Sequence, residues 1–383
     1  MKLLRSIKTL RSDFGTIVGT FVLWKALIFL SAIASIFFLP LHGRDFLGGG
    51  YENYVRAPWF FGWANFDGEH YLSIAAYGYK SLEQQFFPMY PLLMNFLAGP
   101  FHKNFFSLIL AGLLISNLSF FISLVLIFKL IRLDYSRKVA FWTVFLILSF
   151  PTSFFFGSVY SESLFLCLTS ASFYLARREK LFIASFFGTV SSVTRVFGIL
   201  LLPALLLGQF KKKPGFKLFT LLIIPMGLLI YMYFQWKTTG DPLAFYTYQT
   251  IVGPQHVRGI VLWPQVIFRY IKILLSLPID PLYLTYALEL VVGVAFFLLP
   301  IFGIYKKIKW SYLIYCFAGF LLPTLQGSFS SLPRYVIVLF PSFLVMAIYV
   351  ADFSTLKKII VFTVMLTMLV TETMLFIRGY WVA

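Results

Sequence analysis

The stretch FFSLILAGLLISNLSFFISLVLIFKLIRLDYSRK, residues 105–138, opens on a long apolar run and closes on a short basic loop. The hydrocarbon core of a bilayer is crossed by about 20 apolar residues in a helix. Residues 105–131 therefore read as a membrane span. The loop behind them carries Arg132, Arg137 and Lys138 against one acid, Asp134. Such a cation excess marks a cytoplasmic loop. Working outward in both directions, further apolar runs sit near 17–39, 138–157, 160–176, 181–193, 196–208, 216–236, 283–304, 311–327, 334–351 and 357–377.

Alternating the sides of the loops tests the count. With the N-terminus inside, the inner loops hold Lys2, Arg5, Lys8 and Arg11; Arg132, Arg137 and Lys138; Arg177, Arg178 and Lys180; Lys211, Lys212, Lys213 and Lys217; Lys306, Lys307 and Lys309; and Lys357 and Lys358. The outer side and its helix ends hold Asp45, Glu52, Asp67, Glu69, Glu83, Glu162, Asp241, Asp280, Glu289 and Glu372. This is the positive-inside asymmetry. The expected fold is all-α: a polytopic transmembrane bundle of about eleven spans, N-terminus in and C-terminus out. The short runs at 181–208 read as a broken or re-entrant pair, and either form leaves the sides unchanged. Two long outer loops follow, 40–104 with short juxtamembrane helices and 237–282 with an amphipathic helix near 260–275. The whole of 1–383 reads as a single integral membrane domain with a retained first helix and no soluble domain after the last span.

Composition agrees. Of the 383 residues, 60% are hydrophobic and 12% charged, and mean hydropathy is +0.86. A soluble domain is about 25% charged, so soluble, disordered and disulfide-scaffold classes are excluded. A net charge of +18 belongs here to cytoplasmic loops, and no nucleic-acid partner is expected. Cys167 and Cys316 lie in apolar runs and imply neither a disulfide nor a thiolate metal site.

Chemistry concentrates on the outer side. The first outer loop contains NFDGEHYLSIAAYGY (65–79) and then FFPMYP (86–91). Asp67 reads as an N-cap of a short helix or as a general base at the membrane surface; one carboxylate can do both. At about 100° per residue, positions 67 and 70 share a helix face and 67 and 69 do not. Asp67 and His70 are thus expected to meet one substrate, and Glu69 the protein or another part of the site. Arg195, Arg334 and Arg378 fall near outer helix ends. Such arginines snorkel to head groups or bind phosphate through parallel hydrogen bonds. SVYSESLF (158–165) places Tyr160 and Glu162 at an outer helix start, and GDPLAFYTYQ (240–249) supplies Asp241, Tyr248 and Gln249. Trp59, Trp63, Tyr51, Tyr54 and Phe66 fit an interfacial aromatic belt or a sugar-stacking surface.

These residues resemble a known family. FDGEHYLSIAAYGY followed by FFPMYP is similar to the first-loop signature of GPI mannosyltransferase II (PIG-V-type) proteins and their bacterial relatives, roughly W-D-x-x-H-[FY]-L-x-I-A-x-x-G-Y then F-F-P-x-x-P. Asp67, His70, Tyr71, Leu72, Ile74, Ala75, Gly78, Tyr79, Phe86, Phe87, Pro88 and Pro91 fit it, and Phe66 replaces the usual Trp. FPTSFFFGSVYSESLF, TRVFGILLLP and LPRYV resemble later parts of that family. The resemblance implies the GT-C glycosyltransferase superfamily, a catalytic acid at Asp67, and mannose drawn from a polyprenyl-phosphate carrier.

The expected reaction is inverting transfer of a hexose from a polyprenyl-phosphate-hexose donor to a hydroxyl on a lipid or glycan acceptor. Asp67 is the expected base. His70, Arg195, Arg334, Glu69, Glu162, Tyr160 and Gln249 are candidates for the donor phosphate or substrate. A lipid monophosphate makes less demand for a metal than a nucleotide diphosphate. With no Asp-x-Asp pair and no His-rich spacing, no metal and no cofactor are expected beyond the carrier-linked sugar as co-substrate. Membrane lipids are the remaining partner, with room for a small membrane subunit. The membrane is the plasma membrane of a bacterium or the endoplasmic reticulum of a eukaryote. The competing readings are a lipid-linked sugar flippase or small-molecule transporter, and a non-catalytic subunit of a glycan-assembly complex.

Overall fold

The computed structural model describes residues 2–209, 216–248, 251, 261–325 and 327–382. Its α-helices are α1 (Lys2–Phe38), α2 (Tyr51–Arg56), α3 (Pro58–Phe61), α4 (Asp67–Tyr77), α5 (Met89–Ala98), α6 (Phe105–Ile131), α7 (Arg137–Ser149), α8 (Glu162–Arg177), α9 (Leu181–Ser192), α10 (Leu201–Gln209), α11 (Met226–Thr239), α12 (Ala244–Thr247), α13 (Trp263–Ser276), α14 (Pro281–Tyr305), α15 (Trp310–Thr324), α16 (Leu332–Val336), α17 (Phe340–Asp352) and α18 (Thr355–Ile377). Among the described residues there is no β-strand.

Every apolar run carries helix, and several begin at side-chain caps. Asn104 accepts from the Ser107 amide at 2.8 Å before α6, and Asp280 from the Tyr283 amide at 2.9 Å before α14. Each cap satisfies an amide that the first turn leaves without a partner. Among the described residues, five stretches are long and apolar enough to cross a membrane: Ser12–Phe38, Phe105–Ile131, Leu218–Thr239, Pro281–Tyr305 and Thr355–Ile377. The others are shorter than the sequence reading expects. The run 138–157 stops at Ser149, because Phe150 precedes Pro151 and is extended (φ −62°, ψ 138°). A 3-10 turn, Ser153–Gly157, completes it. The run 334–351 is split between α16 and α17, with Pro341 in the first turn of the second helix. Within 181–208, Arg195 is extended (φ −154°, ψ 146°) and breaks the pair. The amphipathic helix near 260–275 is α13, which exposes Phe268, Ile271 and Leu275.

The short helices set the depth of what lies at their ends. At the basic end, Asp134 pairs with both Nη atoms of Arg177 and, at 3.1 Å, with Lys309. Nearby, Asp13 accepts from Arg137 Nε at 2.5 Å. The lysines Lys211, Lys212 and Lys213 lie outside the described residues. Helix α8 climbs from Arg177 to Glu162, a rise of ~22 Å at 1.5 Å per residue. There Ser116 of α6 donates to the Tyr160 carbonyl at 3.2 Å. Helix α6 runs on from Ser116 to Phe105, ~16 Å further. Helix α8 therefore starts about three turns short of the start of α6, and residues of the 40–104 segment pack onto its end through Tyr71–Ser161 and Tyr160–Asn65 hydrogen bonds.

Burial works to raise the Asp134 carboxyl, but Arg177 and Lys309 hold it below the usual carboxylate value. A depressed folded pKa gives stability that is present above the unfolded value, ~3.9, and lost as pH falls through the folded one. We expect Asp134→Asn to cost about 1–2 kcal/mol at pH 7, between an exposed and a buried pair. The difference should shrink on acidification below about pH 4. Thermal unfolding at several pH values checks this; a pH-independent difference would mean that packing, not charge, is responsible.

Candidate active site

Four charged side chains meet at the end of α8, each from a different part of the chain. Arg334, on α16, places Nη1 2.6 Å from Asp67 Oδ2. Its Nε stands 3.5 Å from Glu162 Oε1, an ionic contact rather than a hydrogen bond. The same Glu162 oxygen lies 2.6 Å from Arg195 Nη1. Two arginines thus share one carboxylate, and a second carboxylate terminates the row. Exposure separates the acids: the Glu162 side chain is 1% exposed and that of Asp67 26%. Glu162 is enclosed between the two arginines, and Asp67 is the more open of the two carboxylates.

The row sits among aromatic rings. The Arg334 guanidinium lies 5.5 Å from the Tyr160 ring centroid and 5.6 Å from that of Phe155. Tyr335 lies beside both arginines, at 5.2 Å from Arg334 and 5.7 Å from Arg195. Rings at this distance favour cations and keep water away. The Tyr160 hydroxyl is committed to the Asn65 carbonyl at 2.9 Å, so this ring supports the row from beneath. Tyr71 of α4 shares a 2.8 Å hydrogen bond with Ser161, whose hydroxyl also accepts from Arg195 at 3.3 Å.

Asp67 is the first residue of α4, not its cap. The N-cap is Phe66, at φ 56° and ψ −118°. A non-glycine residue there is strained by roughly 1–3 kcal/mol and persists only where its surroundings fix it. They do so here. The Phe66 amide donates to Phe46 O at 2.8 Å, and its ring packs against Phe376 and Trp381 at 5.9 and 5.6 Å. Asn65, fully buried, accepts from Gly48 N at 2.9 Å and donates to the carbonyls of Phe376 and Ile377 at 2.9 and 3.2 Å. Gly48 has no room for a side chain, since a Cβ would meet Phe61 O at 1.9 Å. Asn65 is a residue that sequence reasoning passed over; its one clue was its place just before the motif. Asn65→Asp would turn a carboxylate towards two carbonyl oxygens. We expect a loss of about 2–5 kcal/mol in thermal unfolding, and an unchanged midpoint would show that this amide does not anchor the loop.

The remaining candidates lie apart from the row. His70 faces Glu83, Nδ1 to Oε1 3.6 Å, and stacks on Phe86 at 4.7 Å. Burial alone would raise Glu83, but His70, the Lys80 amide and Ser73 bring it below the usual carboxylate range. Glu69 accepts from the Gly50 amide at 3.2 Å and contacts the protein. Burial pushes its carboxyl up against the opposing pull of the Gly50 and Gly49 amides and of His70. Arg378 clamps the loop ends, donating to Leu39 O at 2.9 Å and to the Tyr54 hydroxyl at 3.4 Å. Asp241 accepts from Leu243 N at 2.8 Å, as in an ordinary Asx turn. Gln249 lies outside the described residues. A cavity of about 390 Å³ lies between the 40–104 segment and the end of α11, lined by Tyr79, Lys80, Gln84, Thr238, Thr239 and Tyr248 among others.

The fold is shared with solved structures. ArnT from Cupriavidus metallidurans in the apo state matches with a TM-score of 0.52 and 13% identity, over 90% of this chain and 61% of that one. ArnT from the same organism bound to undecaprenyl phosphate matches with a TM-score of 0.54 and 12% identity, over 91% and 62%. The chain thus spans about three-fifths of the length of those proteins. No curated protein matches the sequence. The family model described as Mannosyltransferase (PIG-V) matches residues 17–271, and the chain belongs to that family.

Proposed function

We propose that this integral membrane protein is an inverting glycosyltransferase, which moves a hexose, mannose by family, from a polyprenyl-phosphate carrier to a hydroxyl of a lipid or glycan at the non-cytoplasmic face. The observation that carries the reading is the accessible Asp67 carboxylate bound to the buried Arg334. Family membership supports the sugar. The undecaprenyl phosphate bound by a protein of the same fold supports the carrier class. Eleven crossings with the N-terminus inside belong to the same proposal, as does a single domain over 1–383; the charge asymmetry of the loops supports them.

In the resting site Arg334 holds Asp67 as an unreactive ion pair. An arriving phosphate competes for the guanidinium, to which two parallel hydrogen bonds suit it. As Arg334 turns its charge to the phosphate, the Asp67 carboxylate is freed to meet the acceptor hydroxyl. The acceptor hydroxyl then gives its proton to Asp67. Its oxygen forms a bond to the anomeric carbon from the face opposite the phosphate, and the carbon–phosphate oxygen bond breaks. The carrier leaves as polyprenyl phosphate, its new charge met by Arg334 and Arg195. His70, paired with Glu83, orients the acceptor side. No metal enters these steps, and the proposal expects transfer to survive a chelator.

The test uses purified protein in vesicles with polyprenyl-phosphate mannose labelled in the sugar and a total lipid extract as acceptor. We expect label in a new product that survives mild acid, which cleaves the carrier phosphoester. Label that crosses the bilayer still attached to its carrier would instead indicate a transporter and overturn the reading.

A further inference from the structure

Arg334 follows a backbone feature that no catalytic role explains. Its helix, α16, is preceded by its N-cap Ser331, which is held in the left-handed region at φ 58° and ψ 12°. The Ser331 carbonyl accepts from the amides of both Arg334 and Tyr335 at 3.1 Å. The orientation of Ser331 thus fixes the turn from which Arg334 projects. What fixes Ser331 is a carboxylate on another helix: Glu289 of α14, 1% exposed, accepts from the Ser331 amide through Oε1 at 2.8 Å. Its other oxygen accepts from the Tyr270 hydroxyl of α13 at 2.7 Å. That hydroxyl in turn accepts from the Phe329 amide at 3.1 Å. One buried acid and one phenol therefore grip two amides of the segment leading into α16. Burying a polar acid in an apolar bundle carries a desolvation cost that only its hydrogen bonds offset. An apolar residue would serve packing at less cost.

We propose that Glu289, braced by Tyr270, is a positioning residue for sugar transfer: its grip on Ser331 sets the start of α16 and so aims Arg334 between Asp67 and Glu162. The inference rests on the reading of Arg334 as the group that passes from Asp67 to the donor phosphate. A misplacement of about 1 Å in such a group is enough for a 10²-fold loss. Glu289→Leu removes both hydrogen bonds. Glu289→Gln keeps an oxygen for Ser331 and an amide for the phenol.

The experiment is a double-mutant comparison of initial transfer rates in vesicles, with labelled polyprenyl-phosphate mannose as donor and thermal unfolding as the check on folding. We expect Glu289→Leu to lower kcat by about ten- to hundredfold and Glu289→Gln to recover most of that. We expect Glu289→Leu to have no further effect in an Arg334→Lys background. Losses that multiply in the double variant would overturn the proposal and leave the reading of Arg334 standing. Full activity of Arg334→Lys would take down both. If Glu289→Leu does not fold, Tyr270→Phe carries the same comparison: a smaller loss, absent in the Arg334→Lys background, supports the proposal, and a multiplying or absent loss overturns it.

Discussion

Asp67→Asn should lower the rate of sugar transfer by about 10²–10⁴-fold, the usual contribution of a positioned general base. The amide has the size of the carboxyl, and its oxygen still accepts from Arg334. Folding should therefore survive, with a melting temperature close to that of the parent. Binding of the donor should be preserved or tightened, since Arg334 is no longer held by a competing carboxylate. Asp67→Glu keeps the charge but moves it outward by about one carbon–carbon bond, and partial activity is expected. The measurement is the initial rate of label transfer in vesicles alongside thermal unfolding. A folded Asp67→Asn protein with a tenth or more of the parent rate contradicts the assignment of the base.

Glu162→Gln is expected to have the second large effect, on stability first. Glu162 is 1% exposed, and one of its oxygens faces both Arg195 at 2.6 Å and Arg334 at 3.5 Å. Removing its charge leaves two buried guanidiniums with Asp67 as the carboxylate among these partners. Breaking a buried pair by deleting one partner costs about 3–5 kcal/mol. We expect a large fall in the unfolding midpoint and loss of transfer together. Exchanging the acid for an amide keeps shape and volume, so the loss reports charge rather than packing. A Glu162→Gln protein as stable as its parent would show that the two arginines find other counter-ions.

Much of this arrangement was legible in the sequence, and the limits have physical causes. The apolar runs fixed the helices, because spans must satisfy their backbone internally and be long enough to cross. Helix ends inside those runs were hidden: the split between α16 and α17 and the stop at Ser149 depend on proline placement and tertiary packing. Asp67, Glu162, Arg195 and Arg334 were each nameable as outer-end charges. That they form one row was not, because their contacts span distant parts of the chain. Helix periodicity put His70 on the face of Asp67; the side chain pairs with Glu83, a choice made by the loop that folds back over α4. The N-cap was misread for a definite reason. Aspartate is a common cap, whereas the structure uses Phe66 in a strained conformation that no propensity suggests. Tyr160, read as a substrate contact, spends its hydroxyl on Asn65.

Sidedness tests the account most directly, since a carrier phosphate delivered at one face serves only a base on that face. Tyr77, exposed at the far end of α4 from Asp67, is the site to probe. Tyr77→Cys, compared with the parent chain as background for Cys167 and Cys316, is treated in intact cells with a maleimide that does not cross membranes. Labelling before lysis, above the parent, is the predicted result. Labelling that appears only after the cells are opened would put α4 in the cytoplasm and contradict the account.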